Sequence, residues 1–227
     1  PGPRRLQIPA VAPPAREGFR LQVPGLSVKI KAGCRNGGIF VDKAAVLTEY
    51  FGHAAFRPGQ EALVDAILQG RDALGVMPTG GGKSLCYQVP ALLLPGLTLV
   101  VSPLISLMKD QVAALTAAGV PAAFINSSLT GPQMREVYAG VRRGAYKLLY
   151  VAPERLEAPG FAQLLQNVPV SLLAVDEAHC ISQWGQDFRP SYLRILEFIQ
   201  ALPVRPVVAA FTATATAFVQ EDILRLL

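Results

Sequence analysis

The chain has 227 residues, of which 51% are hydrophobic and 16% charged, and its formal net charge is +5. This length and composition allow a large buried core and exclude a chain that is disordered throughout. Three widely separated cysteines, Cys34, Cys86 and Cys180, offer neither a disulfide framework nor a C-x-x-C zinc motif. We therefore expect a reducing, intracellular setting and no zinc site in this chain.

The positive charge is concentrated near the amino terminus. Residues 1–47 contain eight of the 21 Lys and Arg but only two of the 16 Asp and Glu, which leaves 13 basic and 14 acidic residues in 48–227. The basic net charge is therefore no sign of nucleic-acid binding by the rest of the chain. A case for such binding must come from particular residues.

Residues 1–41 are rich in Pro and Arg and show no sustained hydrophobic period, which predicts a flexible segment. The run Gly37-Gly38-Ile39-Phe40 followed by Val41 is what a ribosome-binding sequence and a GTG start would encode if read in frame. We therefore expect residues 1–40 to be upstream sequence added by a misplaced start, with the natural protein beginning near Val41. Peptides from this segment in the source cell would contradict that expectation.

From residue 42 onward, short apolar runs alternate with longer amphipathic segments. The apolar runs predict strands at 73–76, 97–101, 122–125, 147–151, 171–175 and 207–211. The amphipathic segments predict helices at 58–68, 83–93, 104–118, 132–141, 191–201 and 216–227. Short apolar strands separated by helices are typical of a mostly parallel sheet covered by helices on both faces. Residues 42–227 are thus predicted to form one α/β domain with its ligand site at the carboxyl ends of the strands.

One uncharged run, Ser84–Met108, is long enough to cross a bilayer. Pro90, Pro95 and Pro103 interrupt it at intervals that a single helix would not tolerate, so it reads as a helix end, a strand and a second helix start. The first residues also lack the apolar core of a secretory signal. We expect no membrane association and a cytoplasmic location.

A glycine-rich segment lies between a predicted strand and a predicted helix and has the residues of a phosphate-binding loop: Thr79, Gly80, Gly81, Gly82, Lys83 and Ser84. Glycines let the backbone N–H groups surround an anion, and the helix N-terminus adds its positive dipole end. Lys83 would reach the β- and γ-phosphates, and the Ser84 hydroxyl would ligate Mg²⁺. Met77 stands where the common motif has its first glycine. The alternative is a glycine-rich turn with an unrelated lysine.

Asp176-Glu177-Ala178-His179 directly follows the apolar run 171–175. An Asp at the end of a buried strand is where a P-loop ATPase holds Mg²⁺, here through water, and the adjacent Glu177 is placed to orient and deprotonate the attacking water. The alternative is a solvated turn between a strand and a helix. The phosphate loop earlier in the same α/β pattern favours the functional interpretation.

These two motifs resemble those of superfamily 2 helicases, and further strings resemble the RecQ family of DNA helicases over about residues 42–227. The strings are FRPGQ at 56–60, VSPLISLMKDQV at 101–112, YVAPERL at 150–156, DEAHCISQWGQDFRPSY at 176–192 and FTATAT at 211–216. The resemblance implies a RecA-like three-layer domain and a DEAH-box, 3′-to-5′ ATP-dependent DNA helicase that acts in recombination and repair. It also implies a bacterial, nucleoid-associated protein.

The resemblance further implies roles for single residues. Gln60, beside Arg57, would read the adenine edge, and His53 would stack on the base. Thr212 and Thr214, with His179, would link hydrolysis to domain movement. The implied DNA contacts are Ser102, Asn126, Arg155, Trp184, Phe188 and Arg189.

Several of these residues have ordinary structural alternatives. Gln60 could merely begin a helix, and Asn126 could cap a turn. Trp184 and Phe188 suit base stacking but could instead fill a hydrophobic gap beneath their loop. Arg189 could bridge to Asp176 and Glu177 or pair with Asp187.

The family motor has two RecA-like domains with ATP between them, and the resemblance covers only the first. We therefore expect ATP and Mg²⁺ as cofactors, single-stranded and partly duplex DNA as partners, and poor ATP hydrolysis by this chain alone. Two alternatives remain: a stand-alone nucleotide-binding module, and a helicase domain that acts on RNA.

Overall fold

The computed structural model describes residues 33–35, 38–40, 42–185 and 187–227. The expectation about residues 1–41 therefore falls largely outside the described residues. Within that segment, β1 (Gly33–Arg35) and β2 (Gly38–Phe40) pair antiparallel.

A six-stranded sheet organises residues 42–227, and all five of its strand pairs are parallel. Its strands are β3 (Ala73–Val76), β4 (Leu97–Val101), β5 (Ala122–Ile125), β6 (Leu148–Val151), β7 (Val170–Val175) and β8 (Val207–Thr212). Their order across the sheet is β3-β8-β7-β4-β6-β5. The predicted parallel sheet is confirmed, and each strand lies within one residue of its predicted bounds.

Eight helices accompany the described strands. They are α1 (Lys43–Phe51), α2 (Gln60–Leu68), α3 (Lys83–Leu93), α4 (Ile105–Ala117), α5 (Gly131–Arg142), α6 (Phe161–Leu164), α7 (Arg194–Ala201) and α8 (Ala217–Leu226). The sequence pattern did not predict α1 or the single-turn α6. The signals for α1 were present, because the Asp42 carboxylate accepts a hydrogen bond from Ala44 N at its start and Gly52 ends it with φ +68°.

The sheet separates two hydrophobic cores because successive residues of a strand point to opposite faces. Leu99 and Leu173 face the side covered by α5 to α8, whereas Val100 and Ala174 face the side covered by α3 and α4. This is the predicted three-layer arrangement. Among the described residues, none of the helices combines the length and apolar character needed to cross a membrane.

The segment predicted as one helix over 191–201 is divided in the structure. A 3₁₀ turn at Pro190–Leu193 precedes α7. The turn buries Tyr192, whose hydroxyl donates to the Asp176 carbonyl oxygen at 2.9 Å. This long-range hydrogen bond favours the tighter turn over the regular helix that the local pattern predicts.

Candidate nucleotide site and nucleic-acid interface

The glycine-rich loop connects edge strand β3 to α3, as predicted. Gly80 and Gly82 have φ of +77° and +79°, values that other residues rarely adopt. They allow the chain to reverse tightly before Lys83, the first residue of α3. Thr79 is exposed in the loop, and Ser84 is half-buried beside Lys83. The backbone and helix end are those that a phosphate-binding loop requires.

Two polar side chains at the start of α2, those of Arg57 and Gln60, hold this loop through its carbonyl groups. Gln60 Nε2 donates to the carbonyl oxygens of Gly81 and Gly82, both at 3.1 Å, and its Oε1 accepts from Arg57 N at 2.8 Å. Arg57 donates through a guanidinium nitrogen to Gly80 O at 2.6 Å. Gln60 is only 1% exposed, so its amide must exchange these partners before it can bind an adenine edge.

Lys83 and His53 are two further residues predicted to bind the nucleotide. Lys83 Nζ donates to Met77 O at 3.2 Å, so the lysine folds back over its own loop. His53 is exposed just after Gly52, and its backbone carbonyl accepts from the Thr48 hydroxyl at 3.1 Å. Gln60 and Arg57 contact the loop, which agrees with an adenine site at that end, and both this site and the role of His53 in it stay predictions.

Gly82→Ala should destabilise the folded chain more than Gly119→Ala. Both glycines have the same left-handed φ, which costs a side chain roughly 1–2 kcal/mol. A Cβ at Gly119 meets nothing within 4 Å, whereas one at Gly82 lies 2.3 Å from Gln60 Nε2. Displacing Gln60 breaks two hydrogen bonds, so we expect Gly82→Ala to lower the free energy of unfolding in urea by about 1–3 kcal/mol more than Gly119→Ala does. The excess should vanish in a Gln60→Ala background, and equal costs in the wild-type background would contradict this contact.

Asp176 directly follows β7, begins the acidic turn Asp176–His179 and is 7% exposed. Burial, and secondarily the neighbouring Glu177 carboxylate, raise the pKa of Asp176 to about 6 despite the opposing effects of the Glu177 N–H and Lys83. Glu177 has φ +48°, the one positive φ of a residue other than glycine in the described part of the chain. This strained turn lets Glu177 N donate to Asp176 Oδ1 at 3.0 Å.

His179 joins the acidic turn to the end of β8, which lies between β3 and β7 in the sheet. His179 Nδ1 lies 2.8 Å from Thr212 Oγ1 and 3.3 Å from a Glu177 carboxylate oxygen. Thr212 Oγ1 donates to Thr214 O at 3.0 Å, so Nδ1 is assigned the hydrogen that the threonine oxygen accepts. The three predicted coupling residues are thereby brought into one hydrogen-bonded chain.

The aromatic-rich loop, residues 182–189, follows the acidic turn and carries the most exposed of the predicted DNA contacts. Trp184 is 80% exposed, whereas Phe188 is half-buried. Of the two partners predicted for Arg189, the structure shows Asp187, which accepts both Arg189 Nε at 3.1 Å and a terminal guanidinium nitrogen at 2.8 Å. Exposure of Trp184 favours a ligand contact over the alternative in which it fills a gap.

The other predicted DNA contacts follow β4, β5 and β6 but differ in access. Ser102 and Asn126 are buried, and Asn126 Oδ1 accepts from Ser128 N and Ser128 Oγ, which is the turn-capping alternative. The Ser102 hydroxyl is buried with no hydrogen-bond partner. Arg155 is half-buried in the 3₁₀ turn Pro153–Arg155. Of the three, Arg155 alone is partly exposed in this conformation, and its contact with DNA stays a prediction.

Tyr192 is a site residue for which no role was predicted, although it ends the string at 176–192. Its hydroxyl donates to the carbonyl oxygen of Asp176 and so holds that backbone, and burial raises the pKa of Tyr192 well above its usual range. In the sequence it is also a polar aromatic at the start of an apolar helical pattern, which is an ordinary core position.

The donors present fit a magnesium–nucleotide complex. The described residues contain no cluster of three or more His, Cys, Asp or Glu that could hold a metal alone. A hydroxyl from Ser84 and a carboxylate from Asp176 are hard oxygen donors, and Mg²⁺ typically takes one or two such groups together with phosphates and waters. The left-handed glycines Gly80 and Gly82 turn the loop onto the start of α3, where a helix N-terminus favours an anion.

The family model described as DEAD/DEAH box helicase matches residues 57–222. The ATP-dependent DNA helicase RecQ of Bacillus subtilis is 52% identical over 180 residues, which are 79% of this chain and 30% of that protein. RecQ of Haemophilus influenzae is 53% identical over 181 residues, 80% of this chain and 29% of that protein. The chain thus spans about a third of the length of these relatives.

Solved structures agree on the fold. A hypothetical ATP-dependent RNA helicase from Sulfolobus tokodaii superposes with a TM-score of 0.64 and 20% identity, covering 82% of this chain and 54% of that one. The Pyrococcus furiosus Hef helicase domain gives a TM-score of 0.59 and 21% identity, covering 75% and 36%. The family match and the RecQ identities confirm the resemblance seen in the motifs. The chain therefore belongs to the DEAD/DEAH box helicase family, and its sequence is of the RecQ type over the region of the first RecA-like domain.

Proposed function

We propose that this chain is the ATP-binding half of a 3′-to-5′ DNA helicase, which couples ATP hydrolysis to movement along single-stranded DNA and to duplex unwinding in recombination and repair. One observation carries the proposal. The phosphate loop, the acidic turn and Thr212 meet at the carboxyl ends of adjacent strands β3, β7 and β8, and an exposed aromatic loop continues from the acidic turn.

In the proposed mechanism, Lys83 leaves Met77 O and binds the β- and γ-phosphates of ATP. Ser84 and Asp176 would hold Mg²⁺, which when bound neutralises charge on the phosphates. Gln60 and Arg57 already bind the loop carbonyls, so adenine binding by Gln60 would release the loop at the moment the phosphates enter it.

Glu177 orients and deprotonates the attacking water, while the Tyr192 hydroxyl holds the Asp176 backbone in place. His179 contacts both Glu177 and Thr212, so a change at the Glu177 carboxylate would shift Thr212 and the segment 212–216 that leads into α8. This connection is the path that we propose for transmitting hydrolysis to the rest of the motor.

DNA as the substrate rests on the relatives, which are named DNA helicases and are about half identical over four-fifths of this chain. Trp184 provides an exposed ring for stacking, which is worth about 1–3 kcal/mol per base. Phe188 and Arg189 follow Trp184 in the same loop and would add contacts, and Arg155, shortly after β6, would bind a phosphate. Nucleoid association follows from action on DNA.

The isolated chain should bind Mg-ATP yet hydrolyse it very slowly. Phosphoryl transfer depends on charge stabilisation, and an arginine finger from a second domain is worth roughly 10³–10⁵ in rate. Steady-state ATP hydrolysis, measured with and without single-stranded DNA, tests this expectation.

Trp184→Ala should weaken the binding of single-stranded DNA about 5- to 150-fold, because the substitution removes the stacking ring. Phe218→Ala is the matched control, because Phe218 is an equally exposed aromatic on α8.

Each other outcome has a distinct meaning. Strong DNA-stimulated turnover would contradict the half-motor interpretation. Nucleotide binding with no DNA binding would favour the stand-alone nucleotide-binding module. Tight binding of single-stranded RNA together with weak binding of DNA would favour an RNA helicase domain.

A further inference from the structure

A hydrogen bond joins the aromatic loop to α8, and its acceptor, Asp222, lies outside the motifs quoted above. Ser182 Oγ donates to Asp222 Oδ2 at 2.7 Å across 40 residues of sequence. Ser182 is 1% exposed, and the Asp222 side chain is largely buried. A short hydrogen bond to a shielded carboxylate is stronger than one between neutral groups, so this contact restrains both elements.

On the loop side, Ser182 also fixes the backbone of Trp184. Trp184 N donates to Ser182 Oγ at 3.2 Å, and Gly185 N donates to Ser182 O at 3.0 Å. A Cβ at Gly185 would lie 2.4 Å from His179 O, so the chain turns tightly against the acidic turn at this point. The serine oxygen thus accepts from the tryptophan backbone and donates to α8.

On the helix side, Asp222 lies two turns into α8 and pairs with Arg225 at 2.8 Å. The helix begins at the Thr216 cap, directly after Thr212 and Thr214. A cleft of about 310 Å³ separates Trp184 from Thr214–Thr216, and its two walls are the elements that the Ser182–Asp222 bond joins. The bond therefore joins the two walls of the cleft through residues that do not themselves line it.

We propose that Ser182 and Asp222 are positioning residues that set the place of Trp184 relative to α8. The aromatic loop and α8 then move as one unit whenever the His179–Thr212 connection shifts the start of that helix. Loss of the bond frees Trp184 to sample other positions and weakens its contact with single-stranded DNA. The DNA part of this inference rests on the proposed function, whereas the positioning of Trp184 does not.

The chain reports on this loop directly, because Trp184 is its only tryptophan. Asp222→Ala and Ser182→Ala should each lower the steady-state fluorescence anisotropy of Trp184 in the DNA-free protein, since a released loop moves on the nanosecond timescale. Asp222→Asn keeps an oxygen that accepts from Ser182 and should retain the wild-type anisotropy. Arg225→Ala removes the other partner of Asp222 and serves as the matched control.

Circular dichroism melts identify any variant that fails to fold. If Asp222→Ala does not fold, Ser182→Ala, which removes a single oxygen, still tests the proposal. Unchanged anisotropy in folded Asp222→Ala and Ser182→Ala would overturn the proposal. So would an equal decrease in Arg225→Ala, because the ion pair rather than the Ser182 bond would then be responsible.

Quenching of Trp184 by a single-stranded oligonucleotide supplies the second readout. We expect Asp222→Ala to weaken DNA binding about 3- to 10-fold, less than the roughly 5- to 150-fold that removal of a stacking ring produces. Wild-type affinity in a variant with lowered anisotropy would overturn the DNA part of the inference. If wild-type protein binds no DNA, the proposed function fails while the anisotropy series still decides the positioning role.

Discussion

Lys83→Ala should weaken the binding of Mg-ATP to this chain about 10- to 150-fold, the effect of losing a charged hydrogen bond worth roughly 1.5–3 kcal/mol. Lys83 begins α3 and donates to a loop carbonyl, Met77 O, at 3.2 Å, and its charge lowers the pKa of the buried Asp176 carboxyl. Removing its amine takes that positive charge away from Asp176, so a circular dichroism melt of Lys83→Ala accompanies the titration to verify that the variant is folded. Equilibrium titration with a fluorescent ATP analogue measures the affinity without depending on turnover.

Lys109→Ala is the matched control, because Lys109 is an exposed lysine on α4 and the substitution makes the same change in net charge. Its nucleotide affinity should equal that of the wild-type chain. An unchanged affinity in Lys83→Ala would contradict the phosphate-loop assignment, since the remaining glycine turn would then bind nucleotide without its cation.

Asp176→Asn should stabilise the folded chain while weakening its magnesium-dependent nucleotide binding. Asp176 has a pKa of about 6 in the folded chain against an ordinary 3.8, so keeping it ionised at pH 7.5 costs the fold roughly 2–3 kcal/mol. Asn keeps the oxygen that accepts from Glu177 N and carries no charge. Urea unfolding in EDTA should show the gain, and nucleotide titration with and without Mg²⁺ should show the loss.

The sign of the pH dependence follows from linkage. Between about pH 6 and pH 4 the folded wild-type chain binds a proton on Asp176 that the unfolded chain does not, so this group stabilises the fold as pH falls. Asp72 and Asp187 have lowered pKa values and so destabilise the fold as pH falls, but their effect is the same in the wild-type chain and in Asp176→Asn. The advantage of Asp176→Asn should therefore shrink from pH 6 to pH 4, and a constant advantage would contradict the raised pKa.

Local sequence carried enough information to place the strands because each is a run of four to six apolar residues that can be buried on both faces. It also placed the phosphate loop and Asp176, since both directly follow such runs. Where local and long-range preferences disagree, the pattern failed: Tyr192 belongs to a 3₁₀ turn because its hydroxyl reaches Asp176 O.

The environment of the site residues depends on contacts between segments far apart in the chain. The motif letters do not reveal that Gln60 is buried with its amide bound to Gly81 and Gly82. Nor do they reveal which of two partners Arg189 takes, a choice that the turn geometry settles in favour of Asp187. Such pairings require the folded arrangement of loops around strand ends, which no local period describes.

The sequence by itself determined the fold class, the edge of the sheet that carries the site, and the helicase family, because apolar periodicity and short motifs are local properties. Only the tertiary structure decided that Asp176 is buried deeply enough to titrate near pH 6, that His179 meets Thr212, and that Ser182 meets Asp222. These features depend on burial and on hydrogen bonds between segments up to 40 residues apart, and both exist only once the chain has packed around its sheet.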